Sequence, residues 1–298
     1  MMLQITNIFF FYVKGRPVFL FIVNFRAINY CIWTFEMTTS VYDCDNAIAA
    51  SDTRWSATIK LPDGEYIIHV DDTGFNKIVA RKGGIIVCAG DGKTIEKLKK
   101  WWSSDVLIPD NMPNLEESGK FSVGMLMISS NGEIVHDSGM KRIILNPQTR
   151  HIHAIFLGSG GKAASDVFFG CGCAKSSVEW AKNVDPWSGG EVKYIELNSW
   201  DNNLQDENLD YYSIIESMKK RGVMMKVDNY YFAGSPEINA IDLSDHPQAD
   251  EIKSWLANGS VKAYSPMGAE KQDWSEEQNA KIIKAAKKIA ELEKLITN

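Results

Sequence analysis

The sequence predicts an α+β protein with antiparallel strands and segregated helices. Three observations lead there. Short apolar–polar alternations come in pairs joined by turn residues, the pattern of β-hairpins. The helical periodicities fall between blocks of strands rather than after each strand, which argues against βαβ units. The 298 residues are 45% hydrophobic and 23% charged, an ordinary globular balance for one large domain or a domain with an appendage. A net charge of −6 leaves no electrostatic footprint for nucleic acid.

The first 36 residues differ from the rest. "IFFFYV" and "PVFLFIVNF" are strongly apolar but interrupted by Lys14, Arg16 and Arg26, and neither approaches the roughly 18 to 20 apolar residues of a spanning helix. A secretory signal would place its basic residues ahead of the apolar run, and here they follow it. Residues 1–37 are therefore expected to be a propeptide, or an extension from a start assigned too far upstream, with a membrane-seeking segment as a third option. The folded part is expected to begin near Met37.

From there "TTSVYDCDNAIAASDTRW" reads as a hairpin about Asp45-Asn46. "SATIKLPDGEYIIHV" is a second, turning at Pro62-Asp63-Gly64. "NKIVARKGGIIVCAG" adds two strands about Gly83-Gly84. "GDGKTIEKLKKWW" puts Ile95, Leu98 and Trp102 on one helical face. Prolines 109 and 113 make the following stretch a loop. "FSVGMLMISSNGEIVHDSG" turns at Asn131-Gly132, a strong hairpin signal. "RHIHAIFLGSGG" is a strand, "KAASDVFFGCGCAKSSVEWAKNVD" a helix pair or one helix broken near Gly170 and Gly172, and "GGEVKYIELN" a strand.

Residues 200–298 read as a mostly helical extension. "LDYYSIIESMKKRG" is amphipathic and closed by Gly222 at the C′ position. "DHPQADEIKSWLANG" has Asp245 as its cap and Pro247 in the first turn. Ser275 and Gln278 form a capping box for a last helix with Ile282, Ala286, Ile289 and Ile296 on its apolar stripe. Five cysteines without a CxxC pair read as reduced thiols in a cytoplasmic protein. His151 and His153 share one strand face, a pattern that more often belongs to a packed or solvated face than to a metal site.

The residues with chemical potential recur in a definite order. Thr38-Thr39 precedes the first strand and Asp52-Thr53-Arg54 ends the second. Lys77 opens a later strand. Ala89-Gly90-Asp91-Gly92 joins a strand to a helix, Gly158-Ser159-Gly160-Gly161 does the same, and Asp185-Pro186-Trp187-Ser188-Gly189-Gly190 joins a helix to a strand. Singly these read as turn glycines and solvated charges. Taken together in this order, residues 38 to about 197 resemble the catalytic β subunit of the proteasome and, more loosely, its bacterial HslV relative, both N-terminal nucleophile (Ntn) hydrolases.

The resemblance implies a four-layer αββα sandwich, two antiparallel sheets with outer helices, and a threonine peptidase. Thr38 would be the nucleophile once everything before it is removed. A threonine hydroxyl needs a base, and a freed α-amine titrates at about 7.7–8.0, close enough to neutrality to serve. Lys77 would lower the pKa of the amine or hydroxyl, Asp52 would orient Lys77, and the Gly90 N–H would stabilise the oxyanion. By the resemblance Ser159, Asp185 and Ser188 surround the terminal amine. Trp55, Phe75 and Cys88 would line an apolar pocket for the side chain preceding the cut, favouring small or medium hydrophobic residues.

The chemistry implied needs neither metal nor cofactor. The partners implied are a peptide or unfolded-protein substrate and further copies of the chain in a homo-oligomer, with a ring as one arrangement. No nucleic acid and no membrane are expected. Docking to an ATP-dependent unfoldase is in doubt, because one helix stands between Gly90 and Phe121 where the family has two. An Ntn amidohydrolase acting on a small amide, and a catalytically silent assembly or binding module, are the alternatives. Glu36-Met37 before Thr38, rather than the glycine frequent at proteasome self-processing sites, favours a start at Met37.

Overall fold

The computed structural model describes residues 8–13, 16–21, 38–139, 141–227, 240–265, 267 and 273–297. The chain divides into two compact units, Met1–Thr34 and Phe35–Asn298. In the first, β1 (Ile8–Val13) and β2 (Arg16–Phe21) pair as an antiparallel hairpin, so the described parts of the apolar runs are strands. Glu36 and Met37, where the mature start was expected, lie outside the described residues. Among the described residues no helix is long and apolar enough to cross a membrane.

The second unit is a mixed α+β body with two large antiparallel sheets and a two-stranded one of β9 and β10. Its strands begin with β3 (Ser40–Asp43), β4 (Ile48–Ser51), β5 (Trp55–Leu61), β6 (Gly64–Val70), β7 (Ile78–Arg81) and β8 (Gly84–Asp91), followed by helix α1 (Gly92–Trp102). Next come β9 (Glu116–Glu117), β10 (Lys120–Phe121), β11 (Val123–Ser129), β12 (Ile134–Ser138), β13 (Lys141–Leu145) and β14 (Ile152–Leu157). Helices α2 (Gly161–Cys171) and α3 (Ala174–Ala181) lead to β15 (Lys193–Glu196). The chain continues through α4 (Tyr212–Arg221), β16 (Val223–Lys226), β17 (Ile241–Asp242), α5 (Ala249–Asn258), β18 (Tyr264–Ser265) and α6 (Glu276–Thr297).

The smaller sheet has five strands in the order β13-β14-β3-β4-β15. The larger has nine, ordered β12-β11-β8-β18-β5-β6-β16-β17, with β7 also on β8. One apolar cluster joins Tyr42, Ala49, Ile155 and Ile195 of the smaller sheet to Ile78, Ile85, Val87, Leu126 and Ile128 of the larger. A second joins Val41, Ala50, Ala154 and Phe156 of the smaller sheet to Ala164 and Phe168 of α2 and Val178 of α3. The largest joins Ile59, Ile68, Ile86 and Met125 of the larger sheet to α1, α4, α5 and α6. The period-2 alternation of each strand thus feeds two cores at once.

The hairpin turns fall where the sequence places them. The β3–β4 turn is tied by Asp43, whose Oδ1 accepts from the N–H groups of Asp45 and Asn46 at 3.1 Å each. The broken-helix alternative resolves into two helices, because Gly172 takes a left-handed conformation at the end of α2. The sequence reading did not announce β13, nor β9 in the stretch read as loop, nor β10, nor β16, β17 and β18 in the region read as helical.

The described strands and helices of residues 200–298 join the larger sheet and its core rather than forming a separate helical appendage. β16 extends the sheet edge beside β6, and Tyr264 of β18 pairs with Ser56 of β5 and with Asp91 of β8. The apolar stripe of α6 explains this, since Ile282, Ala286 and Ile289 are fully buried on the outer face of that sheet. Ile296 does not belong to the stripe and is 54% exposed. Gly222 ends α4 in an extended conformation (φ −65°, ψ 138°), not the left-handed one expected of a C′ glycine. Asp245 belongs to a preceding 3-10 turn and does not cap α5, whose N-cap position falls to Gln248 without a side-chain cap hydrogen bond. At α6 half of the predicted capping box forms: the Gln278 N–H donates to Ser275 Oγ at 3.2 Å, while the Gln278 Oε1 that should reach back is buried without a partner among the described residues.

Candidate active site

Hairpin β3–β4 brings the two ends of the opening motif together. Thr38 and Thr39 enter β3, Asp52 leaves β4, and the Asp52 N–H donates to the Thr39 carbonyl at 3.1 Å. Lys77 arrives from the residue before β7. All three side chains converge: the Thr38 hydroxyl donates to Asp52 Oδ1 at 2.6 Å, Lys77 Nζ donates to the same oxygen at 2.6 Å, and Lys77 also donates to Thr38 Oγ1. Thr38, Asp52 and Lys77 are each no more than 1% exposed.

Asp52 is the anchor of this cluster. Beyond Thr38 and Lys77, its Oδ1 accepts from the Thr39 N–H at 3.0 Å. Its Oδ2 accepts from the N–H groups of Arg54 at 3.2 Å and Gly189 at 3.1 Å. A carboxylate with this many donors is fixed in place, which satisfies the demand that a buried charge be paired and hydrogen-bonded. Burial pushes the Lys77 ammonium below its ordinary value, against the opposing pull of Asp52. A lysine so placed gives up a proton more readily than a solvated one.

The second group sits beside the first. Ser188 Oγ is 2.7 Å from Thr39 Oγ1 and donates to Asp185 Oδ2 at 2.5 Å, and Ser159 Oγ donates to that same oxygen at 2.9 Å. Burial raises the Asp185 carboxyl to about 6, opposed by its two serine donors and reinforced by the charge of Asp52. The sequence brings Ser159 here through the β14–α2 turn and the Asp185–Ser188 loop through the α3–β15 connection. That turn has no room for a side chain. A Cβ at Gly158 (φ +76°) would come within 1.8 Å of the Thr38 carbonyl oxygen, and one at Gly160 within 1.7 Å of Thr39 Oγ1.

Arg54 fixes the loop that carries Asp185 and Ser188. Its Nε and Nη2 each donate to the Asp71 carboxylate at 2.9 Å, and its Nη1 donates to the Pro186 carbonyl at 2.8 Å. Sequence reasoning noted Arg54 only as part of a motif. Nothing in the spacing joins it to Asp71, which lies a full hairpin away.

Gly90 lies near the end of β8, opposite Val123 of β11 and Ser265 of β18. A Cβ there (φ +132°) would meet the Ser122 carbonyl oxygen at 2.2 Å, so the glycine serves close strand packing. Among the described residues no hydrogen bond links Gly90 to Thr38.

Trp55, Phe75 and Cys88 do come together, but as a filled core. Each is no more than 1% exposed. The Trp55 indole N–H donates to the Phe75 carbonyl at 2.8 Å, and the two rings meet edge to face at 5.1 Å between centroids. Burial pushes the Cys88 thiol up to about 12. The surroundings are not purely apolar, because Lys99 Nζ stands 3.6 Å from the Phe75 ring centroid. Lys99 is a residue the sequence analysis missed. The signal was there, since it sits on the α1 face with Ile95, Leu98 and Trp102.

His153 shows no role in this site. Its Nδ1 lies 2.6 Å from Asp45 Oδ2, and its ring meets Phe168 edge to face. Among the described residues no group of three or more histidine, cysteine or acidic side chains is arranged to hold a metal.

No protein-family model matches this chain, and no curated protein or solved structure is significantly similar to it.

Proposed function

We propose that the protein is a threonine-type N-terminal nucleophile hydrolase that cleaves peptide bonds, with Thr38 as the nucleophile. The observation that carries this reading is the buried contact of the Thr38 hydroxyl with both Asp52 and Lys77. A hydroxyl held between a carboxylate and an ammonium of lowered pKa, completely shielded from water, is a poor choice for stability alone. Three further observations support the reading. Ser159, Asp185 and Ser188 assemble within reach of Thr39. The glycines at 158 and 160 press the β14–α2 turn onto the two threonines. The three apolar clusters also follow the order helices, sheet, sheet, helices expected of a four-layer αββα sandwich.

In the full chain the Thr38 nitrogen is a peptide amide to Met37, so the base appears only when that bond is cut. The freed α-amine would then take the proton of Oγ1 as the oxygen attacks the scissile carbonyl carbon. The tetrahedral oxyanion collapses, the C–N bond breaks, and the leaving amine takes the proton back from the α-amine. Water hydrolyses the resulting Thr38 ester by the same relay and restores the hydroxyl. Lys77 stabilises negative charge developing on Oγ1, and Asp52 keeps Lys77 oriented. Gly90 is the proposed oxyanion donor by resemblance. The substrate in this reading is a peptide or unfolded protein, and the working form is a homo-oligomer.

The test is intact-mass analysis combined with a hydroxyl-reactive covalent probe. The expected outcome is a chain beginning at Thr38 that gains one probe mass, with Thr38→Ala gaining none. A stable chain that retains residues before Thr38 and takes no probe would overturn the reading.

A further inference from the structure

The larger sheet carries a two-residue strand near its middle. β18 comes from the far end of the chain, yet it lies between β5 and β8. On one side Tyr264 pairs with Ser56, and on the other Tyr264 and Ser265 pair with Asp91 and Gly90. Strands commonly run to about 5–6 residues, and one this short adds few bonds to hold a sheet together. Its side chains are also incompletely matched to the slot. The Tyr264 hydroxyl meets Thr58 Oγ1, but Ser265 Oγ and Ser56 Oγ are both buried with no hydrogen-bond partner among the described residues.

Both walls of the slot lead to Thr38. β5 begins directly after Asp52-Thr53-Arg54, and the Cys88 N–H of β8 donates to the Lys77 carbonyl at 2.8 Å. Along β8 the N–H groups point alternately to either side. The Asp91 N–H donates to the Ser122 carbonyl at 2.9 Å, on the side of β11. The Gly92 N–H donates to the Ala263 carbonyl at 3.2 Å, on the opposite side. Gly90, two residues before Gly92, therefore aims its N–H at its partner Ser265. The group assigned to the oxyanion is thus taken by the chain itself.

We propose that β18 is a resident strand in the substrate groove, standing where the main chain of an extended peptide would pair between β5 and β8. It must leave before such a peptide can present a carbonyl to Thr38 and Gly90. The proposal rests on the hydrolase reading and adds its regulation. An incoming strand would renew the pairing on both walls, so the exchange leaves no bare edge. The Val261 N–H donates to the Trp255 carbonyl at 3.1 Å, and the Ala263 N–H to the Tyr211 hydroxyl at 2.8 Å. Release beyond Ala263 therefore leaves α5 and its anchors in place. The affinity for a peptide is reduced by the fraction of molecules in which β18 occupies the groove.

The test uses the full chain as wild type, Ser265→Pro and Ser56→Cys/Tyr264→Cys, with circular dichroism to confirm folding. Ser265→Pro removes the N–H that faces Gly90. Residues directly opposite in an antiparallel pair lie about 4.5–5.5 Å apart, which suits a disulfide. Oxidation of the double variant should lock β18 in the groove, and peptide mapping confirms the bridge. The probe is a fluorescent peptide amide with the sequence Val261–Met267, read by anisotropy, and its control is the same peptide N-methylated at the serine. Ser265→Pro should bind the probe about ten-fold tighter than wild type. The reduced double variant should bind it at least about ten-fold tighter than the oxidised one. The methylated peptide should not bind. Equal binding by the oxidised and reduced forms, or unchanged affinity in a folded Ser265→Pro chain, overturns the proposal. So does equal binding of the methylated peptide, or no binding to any form. Either variant decides alone if the other does not fold or cross-link. The covalent probe for Thr38 is applied to the same samples. Lock-dependent binding without labelling would keep the strand exchange and sink the hydrolase reading. Labelling that the lock leaves unchanged would do the reverse.

Discussion

At the scale of single residues, the site divides its charges unequally. Asp52 is held by five donors, whereas Asp185 has two serine hydroxyls and the Trp187 N–H at 3.4 Å. Burial therefore dominates at Asp185 and lifts its carboxyl to about 6 from an ordinary 3.8. The sign of the consequence is fixed. A carboxyl whose folded pKa is raised contributes stability that is complete below its unfolded value and is lost as pH rises through about 6. Asp185→Asn should therefore flatten the fall in stability between pH 3.8 and about 6, measured by urea unfolding at several pH values. If the ionised carboxylate orients the Ser188–Thr39 pair for catalysis, the same variant should also remove an acidic limb near pH 6 from the activity profile. Unchanged unfolding curves across that window would show that Asp185 is less buried than its surroundings imply.

At the scale of elements, the turn between β14 and α2 decides whether the threonines can lie where they do. Gly158→Ala would force a left-handed residue with a side chain against the Thr38 carbonyl, a backbone atom that cannot swing away. The expected cost is about 1–3 kcal/mol of stability, with loss of reaction at Thr38. Thermal unfolding and the covalent probe read the two effects separately, and a fully stable, fully labelled variant would contradict the close approach. This turn also shows what the sequence could and could not disclose. Each hairpin was legible because Asp45-Asn46, Pro62-Asp63-Gly64, Gly83-Gly84 and Asn131-Gly132 carry turn chemistry that is purely local. The order of Thr38, Asp52, Lys77, Ser159, Asp185 and Ser188 was legible too. What joins Thr39 to Ser188, Arg54 to Asp71 or Lys99 to Glu207 was not, because those pairs are set by the tertiary path and leave no periodic trace. β13 was missed for a related reason. Its half-exposed "KRIIL" shows no clean alternation and takes its strand form by pairing with β14.

At the scale of the whole molecule, the C-terminal hundred or so residues decide whether the remainder can stay folded. Ile214, Ile215 and Met218 of α4, Ile252 and Leu256 of α5, and Ile282 and Ile289 of α6 all enter the same core as Ile59, Ile68 and Ile86 of the larger sheet. Burying one such side chain contributes about 1.5–3 kcal/mol. Their loss would leave the outer face of the larger sheet, with Ile59, Ile68 and Ile86, without its apolar cover. The strands matter as much as the helices. Without β18 the link between β5 and β8 is gone, and without β16 the edge at β6 is bare. A chain of residues 38–199 should consequently fail to show a cooperative thermal transition and should bind a dye for exposed apolar surface, or precipitate. The chain of residues 38–298 should melt cooperatively under the same conditions. A cooperative transition in the shorter chain with a midpoint close to that of the longer one would show that the larger sheet closes its outer face without α4, α5 and α6, and that residues 200–298 are an addition to a self-sufficient fold.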